Sequence, residues 1–324
     1  MPSRINLGGE RATTPPNGSG GNAPLLTARM HLDGGFRYEQ AGATHKAIAA
    51  YEAALSASAT PVERAEAHLR LARVYRTGTD WDAAIAASRV AVRLAEDAGS
   101  DDLVAEAMNV EVGVYQLRGE FDAGDALAVA ALARARSPRV RGILLQNRGA
   151  MAAQLRDFAA AKTYFAESVS AFEEAGYELG MAFALNNAAA AARDAGDPTS
   201  SLELAQEAAA LSRRLGAFDV LTLAVQNQAY ALVALGRPDE AEAPLGEVLG
   251  HFTVTANVLR QAECLEVMGS LYALRSEYAD TAVRCYDLAR TLAVRVGARS
   301  LAERVANRIA GLPPTPSHVD PRTN

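Results

Sequence analysis

The feature that most constrains this chain is a period. Short Ala-rich segments recur at 45–55, 81–92, 121–132, 158–169, 199–210 and 239–250, and a seventh at 277–289 aligns with one extra residue. Their first interior small residues are Ala47, Ala84, Gly124, Ala161, Ser201, Ala241 and Thr281, separated by steps of 37, 40, 37, 40, 40 and 40. Self-similarity at such a period marks a repeat architecture, in which one unit cannot bury its apolar stripe alone and must stack on its neighbours. Each segment is preceded by another helical run, and a turn residue separates the two: Gly42, Gly78, Gly119, Gly196 and Gly236, with Arg156 at that point in the fourth unit. A second set, Gly99, Gly176, Gly216 and Gly297, closes the following helix. Gly suits both places because helices often stop on a left-handed residue. Pro198 and Pro238 stand where a new helix would begin, a position that needs no backbone N–H. Each unit is expected to be helix, tight turn, helix, loop.

Composition agrees with that expectation. The chain has 324 residues, of which 70 are Ala and only 6% aromatic. Ala is the strongest helix former and fits poorly in strands, so a β-sandwich, a barrel or a disulfide scaffold is disfavoured. Length alone would allow two domains. The period replaces that prior with one continuous array over 23–310, flanked by tails at 1–22 and 311–324 whose Gly, Pro and Ser content reads as disordered. Residues 298–310 read as a polar capping helix, which a terminal repeat needs.

The net charge of −6 and a pI near 5.5 argue against a direct nucleic-acid partner. No secretory signal is visible, and no apolar run reaches the roughly 20 residues of a membrane span, so the expected location is the cytoplasm, with no membrane partner. Cys264 and Cys285 read as small buried residues.

The residues of the units resemble the tetratricopeptide repeat in a longer, 40-residue form. The first unit supplies Gly35, Tyr38, Ala47, Tyr51 and Ala54, and the second Ala72, Tyr75, Ala84 and Ala91, with Ser88 departing at an aromatic position. The third has Tyr115, Phe121 and Ala131 with Gly124 in place of Ala; the fourth has Gly149, Phe158, Ala161 and Phe165; the seventh has Gly269, Tyr272 and Tyr278. Units five and six keep only the small residues and the turns. The resemblance implies an all-α, right-handed α-solenoid of about seven antiparallel helix-turn-helix hairpins plus a C-terminal capping helix. The first helix of each pair would line the concave face.

Motifs for chemistry are missing from the sequence. There is no P-loop, no H-E-x-x-H, no G-x-S-x-G and no C-x-x-C. Gly18-Ser19-Gly20 mimics a dinucleotide fingerprint without the strand it requires. The acidic pairs Asp101–Asp102 and Glu173–Glu174 read as solvated helix ends. No catalysis, cofactor or metal is expected.

An amide series is the informative feature. Asn147, Asn187 and Asn227 are spaced by 40 and 40, each nine residues before its turn position. Gln146, Asn186 and Gln226 precede them, and Asn109 and Gln116 extend the trend into the third unit. Asn is a poor helix-interior residue, so its recurrence needs a reason. Amides present donors and an acceptor, which match a peptide backbone whatever its side chains. The resemblance implies this use, since asparagines at this place hold extended peptides in tetratricopeptide proteins. The other reading is that each Asn bonds the next hairpin and fixes stacking; both stay open. Tyr230, with Phe36 and Phe183, is a candidate groove aromatic. Arg70, Arg73 and Arg76, with Arg37 nearby, form a candidate carboxylate site, against a solvated face balanced by Glu63 and Glu66. The expected function is a non-enzymatic scaffold that binds an extended peptide or partner segment in its groove. The alternative is a peptide- or signal-sensing module acting on a transcription regulator or other partner. Self-association is left open.

Overall fold

The computed structural model describes residues 27–312 except 59 and 276–277. The segment 1–22, most of 311–324 and the Gly18-Ser19-Gly20 motif lie outside the described residues. The described residues form seven helical hairpins and a closing helix. The hairpins are α1 (Ala28–Gln40) with α2 (Thr44–Ala57), α3 (Pro61–Thr77) with α4 (Trp81–Asp97), and α5 (Asp101–Arg118) with α6 (Phe121–Arg134). Next come α7 (Pro138–Gln154) with α8 (Phe158–Glu174), and α9 (Glu178–Asp194) with α10 (Pro198–Leu215). Helix α11 (Phe218–Ala234) pairs with α12 (Glu242–Val254), which is entered through a 3-10 turn at Pro238–Ala241. Helix α13 (Val258–Tyr272) pairs with α14 (Ala279–Arg295), and α15 (Arg299–Ala310) caps the stack.

Local chemistry explains where these helices start and stop. Pro occupies the first turn of α3, α7 and α10. Thr60 and Glu63 close a reciprocal capping box on α3. Asp80, Asp157 and Asp197 each accept a hydrogen bond from a first-turn backbone N–H of the second helix of their hairpin. The turn residues Gly42, Gly119, Gly196 and Gly236 are left-handed, as are the closing residues Gly99, Gly176, Gly216 and Gly297. One turn differs from the sequence reading. Gly78 has φ −77°, and the left-handed residue is the next one, Thr79, at φ 66°. Arg156 and Ala256 also adopt positive φ, at 61° and 54°. The hydrogen-bonded turn dictates that conformation even where a side chain must tolerate it.

The core is built from small residues facing aromatic ones. Gly35 lies beneath the ring of Tyr51, Gly149 beneath Phe165, and Gly269 beneath Tyr286. A Cβ at any of them would stand 2.4–2.8 Å from a ring carbon, so the first helix must carry Gly there for the second to close on it. Ala47, Ala84, Ala161, Ser201 and Ala241 are buried at the helix crossing. In the seventh unit the buried small residue is Ala282 rather than Thr281, because the extra residue of that unit shifts the register by one.

Alternate helices touch along the chain: α1 with α3, α3 with α5, α5 with α7, α7 with α9, α9 with α11, and α11 with α13. These first helices form the inner layer and the second helices the outer one. The result is the right-handed α-solenoid expected from the period.

Asp101 and Asp102 do not sit as free solvated ends. Asp101 pairs with Arg134 at 2.7 Å and with Arg136, and Asp102 accepts the backbone N–H groups of Arg136 and Ser137 at 2.7 and 2.8 Å. Together they clasp the loop between α6 and α7. The Arg134 contact also holds the Asp101 carboxyl below its usual range.

Candidate functional site

The inner layer carries two kinds of surface. Its first part is salt-bridged. Arg29 of α1 meets Glu66 of α3 at 3.3 Å, and Arg70 meets the same carboxylate at 3.6 Å. Arg73 of α3 binds Glu106 of α5 at 2.5 Å. Two of the three arginines singled out in the sequence are therefore already partnered. Glu63 serves the α3 cap, so the balancing acids are Glu66 and Glu106. Phe36 is exposed, with Arg70 over its ring.

From α5 onward amides replace the ion pairs. Asn147 donates its Nδ2 to Asn109 Oδ1 at 2.7 Å, which joins α7 to α5. Asn227 joins α11 to α9: its Nδ2 donates to the side-chain and backbone oxygens of Asn186 at 3.0 and 3.3 Å, and its Oδ1 accepts from Arg193 at 2.7 Å. Asn186 in turn donates to Asn187 Oδ1 at 3.4 Å. Asn186 and Asn227 are buried, at 5% and 6% exposure. An amide inside the stack must find partners, and these two find each other.

The remaining amides are half-buried and less occupied. Gln116, Gln146 and Gln226 make no side-chain hydrogen bond to any described residue. Asn187 is engaged only through its oxygen, which leaves both Nδ2 hydrogens free. Among the described residues no hydrogen bond or ion pair joins α7 to α9, and Gln146 and Asn187 sit on those two helices. Tyr230 lies half-buried on α11, with the Arg193 guanidinium 5.5 Å from its ring centre. Phe183 packs against the largest apolar cluster.

The far end of the inner layer is ionic again. Arg304 of α15 forks onto Glu266 of α13 with two contacts of 2.7 Å, and Arg308 adds a third at 3.1 Å. Glu266 is buried, and Arg260 nearby binds Glu263 at 2.8 Å. The capping helix is fastened by charge as well as by Leu301 and Val305.

Cys264 is buried, and burial pushes its thiol up to about 12. Among the described residues no group of three or more His, Cys, Asp or Glu is placed to hold a metal ion. None of the described helices is long and apolar enough to cross a membrane.

No family model matches the sequence. No curated protein matches it either. Solved structures do match. A Rap protein complexed with Competence and Sporulation Factor is 13% identical and superposes with a TM-score of 0.59, over 88% of this chain and 74% of that one. A Rap conjugation gene regulator of plasmid pLS20, in complex with the Phr* peptide, is 13% identical with a TM-score of 0.57, over 86% and 81%. A tetratricopeptide repeat protein from Parabacteroides merdae is 15% identical with a TM-score of 0.51, over 86% and 99%. The chain has the tetratricopeptide-repeat fold.

In tetratricopeptide terms, the amide row runs along the inner helices of the third to sixth repeats. The sequence located the row but not its division into engaged and free members. That division depends on which helix faces each side chain. The ionic closure by Arg304, Arg308 and Glu266 gave no periodic signal, because α15 has no partner helix in the repeat.

Proposed function

We propose that this chain is a non-enzymatic scaffold that binds an extended peptide segment in its concave groove. In this reading residues 23–310 act as one continuous array. Gln146, Asn187 and Gln226 hold the peptide by its backbone, with Asn109, Asn147 and Gln116 at the near end of the row and Tyr230 lining the far end. Asn186 and Asn227 set the spacing of α9 and α11. The observation that carries the reading is the free amide edge of Gln146 and Asn187 on α7 and α9. Half-buried donors and acceptors without internal partners cost little only while water or a ligand satisfies them. An extended chain offers an N–H and a C=O at regular intervals, which such amides can match. The likeness to two Rap proteins solved with a peptide or factor supports the same use.

The test is capture of a mixed pentapeptide pool on the immobilised full chain, read by mass spectrometry. The double change Gln146→Ala, Asn187→Ala is expected to abolish retention while leaving helicity and melting unchanged. Retention equal to the wild type would overturn the reading.

A regulatory variant of this reading has its own support, because one of the similar structures is a conjugation gene regulator held with a peptide. There, peptide capture would change the affinity for a second protein. Sedimentation of the chain with and without the retained peptides tests it, and a peptide-dependent change in assembly is the expected result.

A further inference from the structure

Among the described residues, neighbouring hairpins are tied by polar side chains across every joint but one. Arg29–Glu66 ties the first hairpin to the second, Arg89–Glu111 the second to the third, and Arg148–Asp125 the third to the fourth. Asn227–Asn186 ties the fifth to the sixth, and Tyr272–Glu242 the sixth to the seventh. Between the fourth hairpin (α7, α8) and the fifth (α9, α10) no hydrogen bond or ion pair runs among the described residues.

The same joint holds an apolar cavity of about 90 Å³. Its sides are the N-terminal parts of the outer helices α8 and α10, and its floor is the C-terminal part of α9. The repeat explains why it is there. Across the preceding joint this place is filled by Arg148 of α7. Its guanidinium forks onto Asp125 of α6 at 2.6 and 3.2 Å and donates to the Tyr164 hydroxyl of α8 at 2.8 Å. Met151, one turn further along α7, is buried. One 40-residue step later Arg148, Met151 and Tyr164 become Ala188, Ala191 and Leu204, and all three line the cavity. Cores normally close to near-crystalline density. Here the helices keep the spacing of the repeat while the side chains that fill it have shrunk.

The mouth is polar. The place of Asp125 is taken by Lys162 of α8, which is exposed and forms no hydrogen bond or ion pair with any described residue. Asp197 stands at the mouth from the α10 side. Its carboxylate accepts from the Ser200 hydroxyl at 2.6 Å and the Ser200 backbone N–H at 3.0 Å. Those two bonds, and then the Lys162 charge, hold the Asp197 carboxyl below its usual range. Of the residues that line the cavity, Lys162 and Asp197 are the charged ones.

Such a mouth favours an uncharged polar group. A ligand carboxylate would meet Asp197, and a ligand ammonium would meet Lys162. A hydroxyl both accepts and donates, so it can accept from the Lys162 ammonium and donate to the Asp197 carboxylate. The size of the floor limits the rest of the ligand. An apolar cavity of about 150 Å³ takes a benzene ring, so the smaller one here suits a branched chain of about four or five carbons.

We propose that this joint is a binding site for a small apolar alcohol, whose branched chain fills the cavity over Ala188 and Ala191 and whose hydroxyl lies between Lys162 and Asp197. The bound alcohol supplies the tie that the joint lacks. The site lies on the outer side of the stack, so it does not depend on what occupies the groove.

Saturation-transfer NMR on the full chain tests the site, with 3-methylbutan-1-ol as the probe and 3-methylbutylammonium chloride as a control with the same apolar body. Wild type is expected to transfer saturation to the alcohol about fivefold more strongly than to the ammonium. Ala191→Met restores the side chain of the preceding joint without changing any charge, and should abolish transfer to the alcohol. The double change Lys162→Asp, Ala188→Arg recreates the Asp125–Arg148 pair; it should also abolish transfer, and should melt higher than wild type because it fills and ties the joint. Lys162→Met alters an exposed residue and leaves the packing alone, and should bring the ratio of alcohol to ammonium to about one. The alcohol should also raise the melting temperature of wild type relative to the double variant. Absence of transfer to the alcohol in wild type overturns the proposal and leaves a packing void only, even if the double variant melts higher. Transfer that survives both Ala191→Met and the double change, or a ratio that Lys162→Met does not alter, overturns it as well.

Discussion

The first three repeats and the next three share one backbone plan and present different inner surfaces. In the first three, consecutive inner helices are joined by ion pairs, Arg29–Glu66 and Arg73–Glu106. Beyond them amides take over: Asn147 of α7 reaches back to Asn109 of α5, and Arg193–Asn227–Asn186 joins α9 to α11, while among the described residues no hydrogen bond or ion pair joins α7 to α9. The ion pairs are partly solvated, so water takes much of what each contributes. The amides of Asn186 and Asn227 are buried, so the same kind of joint there is worth more and is harder to replace. Repetition fixes where a side chain stands; the neighbouring helix decides what it can do.

The largest expected difference between the two halves is in their polar joints. Asn227→Ala strands the Asn186 amide and the Arg193 contact, and should cost about 1–3 kcal/mol in urea unfolding. Arg73→Ala removes a partly exposed pair and should cost about 1 kcal/mol or less. Equal losses would erase the contrast.

The scaffold beneath should respond alike in both halves. Gly35→Ala and Gly149→Ala each press a Cβ into an aromatic ring. Each should cost about 1–2 kcal/mol after the gain in helix propensity. A strong asymmetry would mean that the halves do not share one packing rule.

Smaller effects sharpen the turns. Thr79→Gly in the first half and Ala256→Gly in the second should each raise stability by about 1 kcal/mol or less, because each relieves a left-handed side chain.

The smallest effect is a pH dependence confined to the first half. Burial, then the Arg93 charge, lower the His68 pKa from its usual 6.5. The unfolded chain therefore binds the proton more readily than the folded one. Stability contributed by neutral His68 is complete above about pH 6.5 and declines as the pH falls through that value. His68→Gln should flatten the melting temperature between pH 7.5 and 5.5.

Much of this fold was legible from residues alone. The period located all seven hairpins, and Arg156 marked its turn without a Gly. The capping helix followed from 298–310 lying beyond the last unit. Thr79 and Ala256 were not legible, because a residue with a Cβ carries no sign of positive φ. The period points to Thr281 where the structure buries Ala282, because one inserted residue shifts a helical face by about 100° and the pattern in the seventh unit is weak. Of the candidate site, the amide row and the arginine cluster were legible as patterns. Its partition was not: Asn227 and Gln226 are neighbours in sequence, yet one is locked inside the stack and the other is free.

Each hairpin touches chiefly the hairpins beside it, and this has a consequence for synthesis. As the chain leaves the ribosome, each unit can close on the one before it without waiting for distant residues. Among the described helices α15 emerges last, and its Arg304 and Arg308 reach Glu266 in the preceding inner helix. Until those arginines emerge, Glu266 remains an unpaired acid at the open end of the growing array. Its pairing fastens α15 onto the array that precedes it.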